Sequence, residues 1–347
     1  MYIKKILWIV AILGLVVMGW FSYRIYDALF TPNTRFSEEQ VYVHIPTGAD
    51  FSQVYEQISP LLEDPESFAA VARQKKYSVN IKPGRYGIER GMNNNTLVNV
   101  LRSRNAPLMV SFNNQETLPE LAGRIAAQIE ADSLELLAAF RDTEFLDAQN
   151  LDLRNAIVLY LPNSYEFFWN TSAEEFRDRM KREYERFWTD ERVKQAEAQG
   201  LTPTEAITLA SIVHKETAKV DERPRVAGVY LNRLRRNMLL QADPTVIFAI
   251  KEQSGDHDTI IKRVLYKDLA LDSPYNTYKY AGLPPGPIAM PDISAIKAVL
   301  QPEKHDYLYF VADVENFGYH KFAKTLSQHN RNKAQYVRWI NEQNIKR

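Results

Sequence analysis

The feature that most limits this chain's fold lies at its start. Ile6 to Phe21 is an unbroken run of apolar and glycine residues, preceded by Lys4 and Lys5. With Ser22 and Tyr23 added, the run approaches the roughly 20 residues a helix needs to cross a bilayer. A cleaved secretory signal is the competing reading, and its cleavage site needs small residues at alternate positions after the apolar core. Here the chain continues Ser22-Tyr23-Arg24-Ile25-Tyr26-Asp27, bulky and charged, and no cysteine is available for lipidation. The pattern therefore predicts an uncleaved anchor over residues 6–26, with 1–5 as a cytoplasmic tip. Lys4 and Lys5 before the span, against Arg24 after it, orient the N-terminus toward the cytoplasm. Everything after about residue 30 then lies outside the cytoplasm. No later segment is long and apolar enough to span, which predicts a single-pass protein.

The rest reads as ordinary folded protein. Its 347 residues suggest roughly two domains. Lysine plus arginine equals aspartate plus glutamate at 43 each, so no global basic field attracts nucleic acid. The absence of cysteine excludes disulfides, thiolate metal sites, iron–sulfur clusters and a cysteine nucleophile.

Val41, Val43 and Ile45 alternate like a strand with one buried face. Asp50 and Asp64-Pro65 each open a helix, Arg85–Ile88 is a strand, and Asn95 caps a helix through Val98 and Leu101. Leu108–Val110 adds a short strand, which makes a small α+β module over 31–112. From 113 to 347 the chain is mainly helical with a few strands. Ser172-Ala173-Glu174-Glu175 opens a long charged helix that ends at Gln199-Gly200, and Thr202-Pro203-Thr204-Glu205 opens the next, to about Thr217. Pro224 and Asp243-Pro244 begin two more. A loop rich in tyrosine, proline and glycine runs from Ser273 to Pro291, and Tyr307–Val311 reads as a strand before a last helix from about Asn330. The fold class is α+β.

Glu216 is the most informative residue. Leu209, Ile212 and Glu216 share one helical face, so this carboxylate continues an apolar stripe and also sits at a helix C-terminus. Desolvation and the helix dipole both raise its pKa, as a proton donor near neutrality requires. A solvated glutamate at a frayed helix end is the plain alternative. Asp243 reads as an N-cap or as a site residue, whereas Gln241 has an amide suited to sugar hydroxyls and no evident capping role. The loop bearing Tyr275, Asn276 and Tyr278, followed by Gly282–Pro287, is either a structural turn or a wall of a polysaccharide cleft.

Several familiar chemistries fail on spacing. His214-Lys215-Glu216 contains the H-x-E of zinc deaminases but lacks their two cysteines. His214, His320 and His329 match no metal-ligand spacing, so no metal is expected. Nucleophile-elbow, P-loop and dinucleotide fingerprints are missing too.

Taken together, these residues resemble the YceG-like endolytic murein transglycosylases. Ala210-Ser211-Ile212-Val213-His214-Lys215-Glu216-Thr217 is similar to the family's A-S-I-V-E-K-E-T motif, with His214 where the family has its first glutamate. Glu222-Arg223, Val226-Ala227, Asn232-Arg233-Leu234 and Leu240–Ile247 follow at the family's spacing. So do Tyr275–Tyr278, Gly282–Ile288, Tyr309–Ala312, His320, Phe322 and His329-Asn330. Upstream, Lys82-Pro83-Gly84-Arg85-Tyr86 resembles an element of the family's LysM-like module, and Pro162-Asn163-Ser164-Tyr165 resembles its P-D-T-Y. Gln115-Glu116-Thr117 departs from the family's E-G pattern.

The resemblance implies a cofactor-free lytic transglycosylase, anchored in the inner membrane, that cleaves peptidoglycan glycan strands from the periplasmic side. It implies Glu216 as the catalytic acid and peptidoglycan synthases as partners. Gln241, Asp243, Tyr275, Asn276 and Tyr278 are the candidates for holding sugar. A muramidase using water, or a non-catalytic wall-binding scaffold, are the rival functions.

Overall fold

The computed structural model describes residues 2–342. Met1 of the expected tip and residues 343–347 of the expected second domain lie outside the described residues.

The apolar run forms one helix, Tyr2–Phe30, with no buried residue. It is the one helix among the described residues that is long and apolar enough to cross a membrane. It extends past the expected 6–26 because nothing in Ser22–Phe30 stops it. Pro32 is the first residue that cannot continue the backbone hydrogen bonding.

Beyond it, the architecture is helix-dominant, with short strands arranged in two-stranded sheets. The chain divides into two compact units. The first holds the residues up to Val110 with Gln128–Ala131 and Tyr165–Ser172, and the second holds the rest.

In the first unit Gln40–Ile45 pairs antiparallel with Gly84–Glu89, from Gln40 opposite Glu89 to Ile45 opposite Gly84. Val43, Ile45, Tyr86 and Ile88 alternate inward, as a strand's two-residue period requires, on to Ile58, Phe68 and Leu97 of the covering helices. Asp50 caps the helix Phe51–Ile58 through a reciprocal capping box with Gln53. The third helix, Asn94–Ser103, is capped by Asn93 and not by Asn95. In the run Asn93-Asn94-Asn95 it is Asn93 whose backbone is extended and whose side chain accepts from Thr96. Asn95 lies inside the helix and accepts from Lys75 Nζ at 2.6 Å.

In the second unit the helix Pro203–Glu216 runs through the core, with every residue from Ala206 to Val213 buried. It packs against Arg223–Arg235 and Ile293–Leu300. The long charged helix expected up to Gly200 is two helices, Ala173–Phe187 and Asp190–Ala198, because Thr189 caps the second by accepting from the Arg192 N–H. The expected strand at 307–311 is Tyr309–Ala312. It pairs antiparallel with His320–Ala323, which sequence reading had not foreseen, and brings Ala312 opposite His320. The last helix begins earlier than expected, at Leu326.

Candidate active site

The site is built from the end of one helix outward. Thr202 and Glu205 close a capping box at the start of Pro203–Glu216, which runs until Thr217 turns extended. Glu216 is therefore the last helical residue, where the unpaired carbonyls disfavour negative charge. It lines a cleft of about 330 Å³. Burial pushes its carboxyl up. A hydrogen bond from Tyr230 and the neighbouring His320 and Arg233 oppose this, Asp243 adds to it, and the net direction is upward. The residue lies deep in the protein yet keeps some exposure, because the cleft opens on to it.

The next helix supplies two partners. Val226, Val229, Tyr230 and Arg233 are spaced on one face of Arg223–Arg235, and all are buried. Tyr230 donates to Glu216 Oε1 at 2.5 Å, and burial, then the Glu216 charge, raise its phenol well above the usual value. Arg233 gives Nε to the Leu308 carbonyl at 2.6 Å and Nη1 to that of Leu240 at 2.7 Å, which fixes its fork beside the glutamate. Burial lowers its pKa.

The second wall comes from the turn before Asp243–Ser254. Gln241 sits in the left-handed region at φ 49, a strained setting for a non-glycine residue, and donates its N–H to the Thr277 carbonyl at 3.0 Å. The N-cap is Ala242, without a side-chain cap. The capping alternative for Asp243 is thus set aside: Asp243 is the first helical residue, and its carboxylate accepts from the Tyr278 hydroxyl at 2.5 Å. Burial and that hydrogen bond raise the Tyr278 phenol.

Of the six expected site residues, Glu216, Gln241, Asp243 and Tyr278 line the cleft, and Tyr275 and Asn276 do not. The Tyr275 ring packs on Phe248 at 4.7 Å, and burial pushes its phenol up to about 12. Asn276 is fully buried and donates to the carbonyls of Leu269 and Leu271 at 3.0 and 2.8 Å, holding the loop in shape. The remainder of that loop turns elsewhere. Gly282–Pro285 borders a separate groove of about 640 Å³, and Gly286 presses so close to the Arg154 carbonyl that a Cβ would lie 2.1 Å from it.

Tyr230, Arg233, Tyr309, His320 and His329 also line the cleft. His320 Nδ1 lies 2.9 Å from Glu222 Oε2, and its backbone N–H donates to Oε1 at 2.7 Å. Burial alone would raise the Glu222 carboxyl, but the His320 contacts outweigh it and hold it below the usual range. An arginine continuing an apolar stripe was the available signal for Arg233. His214, by contrast, is turned to Arg223 and Asp292, with Nδ1 at 3.2 and 3.3 Å, outside the cleft lining. Glu116 accepts from Lys215 and Lys251 at 2.6 and 2.8 Å, which gives the divergent Gln115–Thr117 segment a fixed place within this unit.

Fold and cleft define a class: a helix-dominant protein with one long apolar N-terminal helix and a polar cleft lined by a half-buried carboxyl. The family model described as YceG-like matches residues 43–335, and the chain belongs to that family. It is 30% identical to the endolytic murein transglycosylase of Bacillus subtilis (strain 168), over 94% of this chain and 93% of that one. The endolytic murein transglycosylase of Streptococcus pneumoniae serotype 2 (strain D39 / NCTC 7466) is 29% identical over 92% of this chain, which spans 62% of that protein's length. A crystal structure of a YceG-like protein from Listeria monocytogenes aligns with a TM-score of 0.57 at 30% identity, covering 85% of this chain and 99% of that one.

Proposed function

We propose that this chain is a murein transglycosylase that cuts within glycan strands, between N-acetylmuramic acid and N-acetylglucosamine, and leaves 1,6-anhydromuramoyl ends. The observation that carries the reading is Glu216, a half-buried carboxyl with a raised pKa in the lining of an open polar cleft. A raised pKa favours the protonated form, which can donate to the leaving glycosidic oxygen. As carboxylate it then takes the proton of the muramoyl C6 hydroxyl, which attacks the anomeric carbon and closes the ring. One protein carboxyl suffices because the nucleophile belongs to the substrate. Gln241, Asp243 and Tyr278 are the sugar contacts that the cleft supports best.

The wider setting belongs to the same proposal. The helix Tyr2–Phe30 anchors the chain once in the cytoplasmic membrane, N-terminus inside, with the residues from about 31 onward on the periplasmic side. The strand pair and helices of 31–112 serve as a LysM-like glycan-binding module and 113–347 as the catalytic domain. Tethering near newly made strands suits an enzyme that ends their elongation, in company with peptidoglycan synthases.

A muramidase reading draws on Asp243, a second carboxylate in the cleft that no cap engages. Mass spectrometry of fragments released from purified peptidoglycan by the detergent-solubilised full chain separates the two readings. Anhydro ends from wild type, and none from Glu216→Gln, are expected. Reducing ends, heavier by one water, would make the enzyme a hydrolase. No fragments from the folded protein would leave a binding scaffold.

A further inference from the structure

Outside the acid–tyrosine pair, the cleft contains a second ordered proton-bearing group. Glu222 follows the catalytic helix and is buried to 2% side-chain exposure, with an oxygen on each of two donors from His320. It stands on the segment that follows Thr217, the residue that ends the Glu216 helix. The pair therefore joins that segment to the strand His320–Ala323. The His320 ring is wedged edge-on against Phe310, with centroids 5.0 Å apart, so it has little freedom to flip.

This arrangement fixes the tautomer. An ionised carboxylate can only accept, so Nδ1 carries the proton that binds Glu222. Nε2 has no protein partner among the described residues, and the residue lines the cleft. A carboxylate-oriented imidazole in the lining of a cleft, with its second nitrogen unpartnered among the described residues, is arranged to accept a hydrogen bond from a sugar hydroxyl.

We propose that His320 Nε2 accepts the hydrogen bond of the muramoyl C6 hydroxyl and aims its oxygen at the anomeric carbon, with Glu222 as the positioning residue behind it. The inference rests on the transglycosylase reading above. As the O6–C1 bond forms and the glycosidic bond breaks, the C6 hydroxyl proton passes to Nε2, and the imidazolium returns it to the Glu216 carboxylate, so His320 is unchanged over the cycle. Its contribution is orientation of the nucleophile, and with it preference for the internal hydroxyl over water.

The test compares His320→Ala, His320→Gln, Glu222→Gln and the double variant His320→Ala/Glu222→Gln in the detergent-solubilised full chain. Release of anhydro fragments should fall on the order of 10- to 100-fold in His320→Ala. Sedimentation with intact peptidoglycan should be unaltered, and reducing ends should form a larger share of the product. His320→Gln, whose amide oxygen reaches toward the Nε2 position, should recover part of the rate. The double variant should be no slower than His320→Ala alone, since Glu222 acts through His320. A wild-type rate and product ratio in His320→Ala would overturn the proposal, as would losses that multiply in the double variant. If Glu222→Gln does not fold, the contrast between His320→Ala and His320→Gln decides, and equal loss in both counts against the proposal. Failure of the underlying reading looks different: wild type would then yield no anhydro ends, or Glu216→Gln would keep its activity.

Discussion

The two units differ in one class of buried polar group: the second buries charged side chains, and the first, among the described residues, does not. In the first, the notable ones are neutral amides. Asn94 donates to the Ala28 carbonyl and to Ser67, and accepts from Asn33, whose oxygen in turn accepts from the Asp64 N–H. Such a network has one protonation state and only holds shape. In the second, the groups drawn into the interior are ionisable: Glu216, Glu222, Arg233 and Tyr230. Burying them is costly unless they are partnered, and each partner shifts a proton equilibrium. The contrast separates a scaffold from a place where protons move.

The largest effect that could break this contrast is on turnover. Glu216→Gln keeps size and shape but cannot donate a proton, and removing a general acid costs about 10²- to 10⁴-fold. A rate assay of fragment release should show that loss with the fold intact. Stability should move the other way. The folded Glu216 pKa is raised, so the native state holds its proton where the unfolded chain has lost it. Its stabilising share is therefore full below the ordinary carboxyl value and disappears as pH rises through the raised one. Denaturant melts across that window should fall for wild type and stay flatter for the variant. Identical curves would place the carboxyl in water.

Next come two stability losses of similar size and different character. Phe68→Ala empties a fully buried site in the first unit and should cost about 3–5 kcal/mol. That loss is a cavity and should not vary with pH. Glu222→Gln removes a buried carboxylate that binds two donors of His320 and should cost about 3 kcal/mol near neutrality. The Glu222 carboxyl is held below its unfolded value, so its contribution is present above that value and is lost as pH falls through the depressed one. The gap between wild type and Glu222→Gln should close in acid, while the Phe68→Ala gap persists. Parallel pH curves for both variants would erase the distinction between the units.

What sequence could show follows the same division. The long apolar N-terminal helix, the caps at Asp50, Asp64 and Thr202, and the inward alternation of Val43 and Ile45 are local patterns, and reading them needs only neighbours along the chain. Glu216 was legible because its helix carries its own face. Its surroundings were not. Glu222 and His320 stand 98 residues apart and meet only because a strand absent from the reading returns beside the helix. In the tyrosine loop, Tyr275 and Tyr278 share a residue type and an expected role. Phe248 on one side and Asp243 on the other assign them to core and cleft. Asp243 read as a cap because Asp-Pro opens helices, yet the cap position fell one residue earlier.

The smallest expected effect tests the proton equilibrium itself. Tyr230→Phe removes one hydroxyl that donates to Glu216 at 2.5 Å and leaves the ring packed edge-on against Phe310 at 5.8 Å. That donation stabilises the carboxylate, so its loss should raise the Glu216 pKa further. An acid that must be protonated then works to higher pH, and the alkaline limb of the rate profile should move upward. The carboxylate that must later accept a proton is less well held, so the rate at the optimum should change by only about a few-fold. A limb that stays in place would mean that Tyr230 supports Glu216 by packing alone, as Phe68 does in the first unit. A limb that moves without loss of stability would show that one buried hydroxyl sets when the cleft is active.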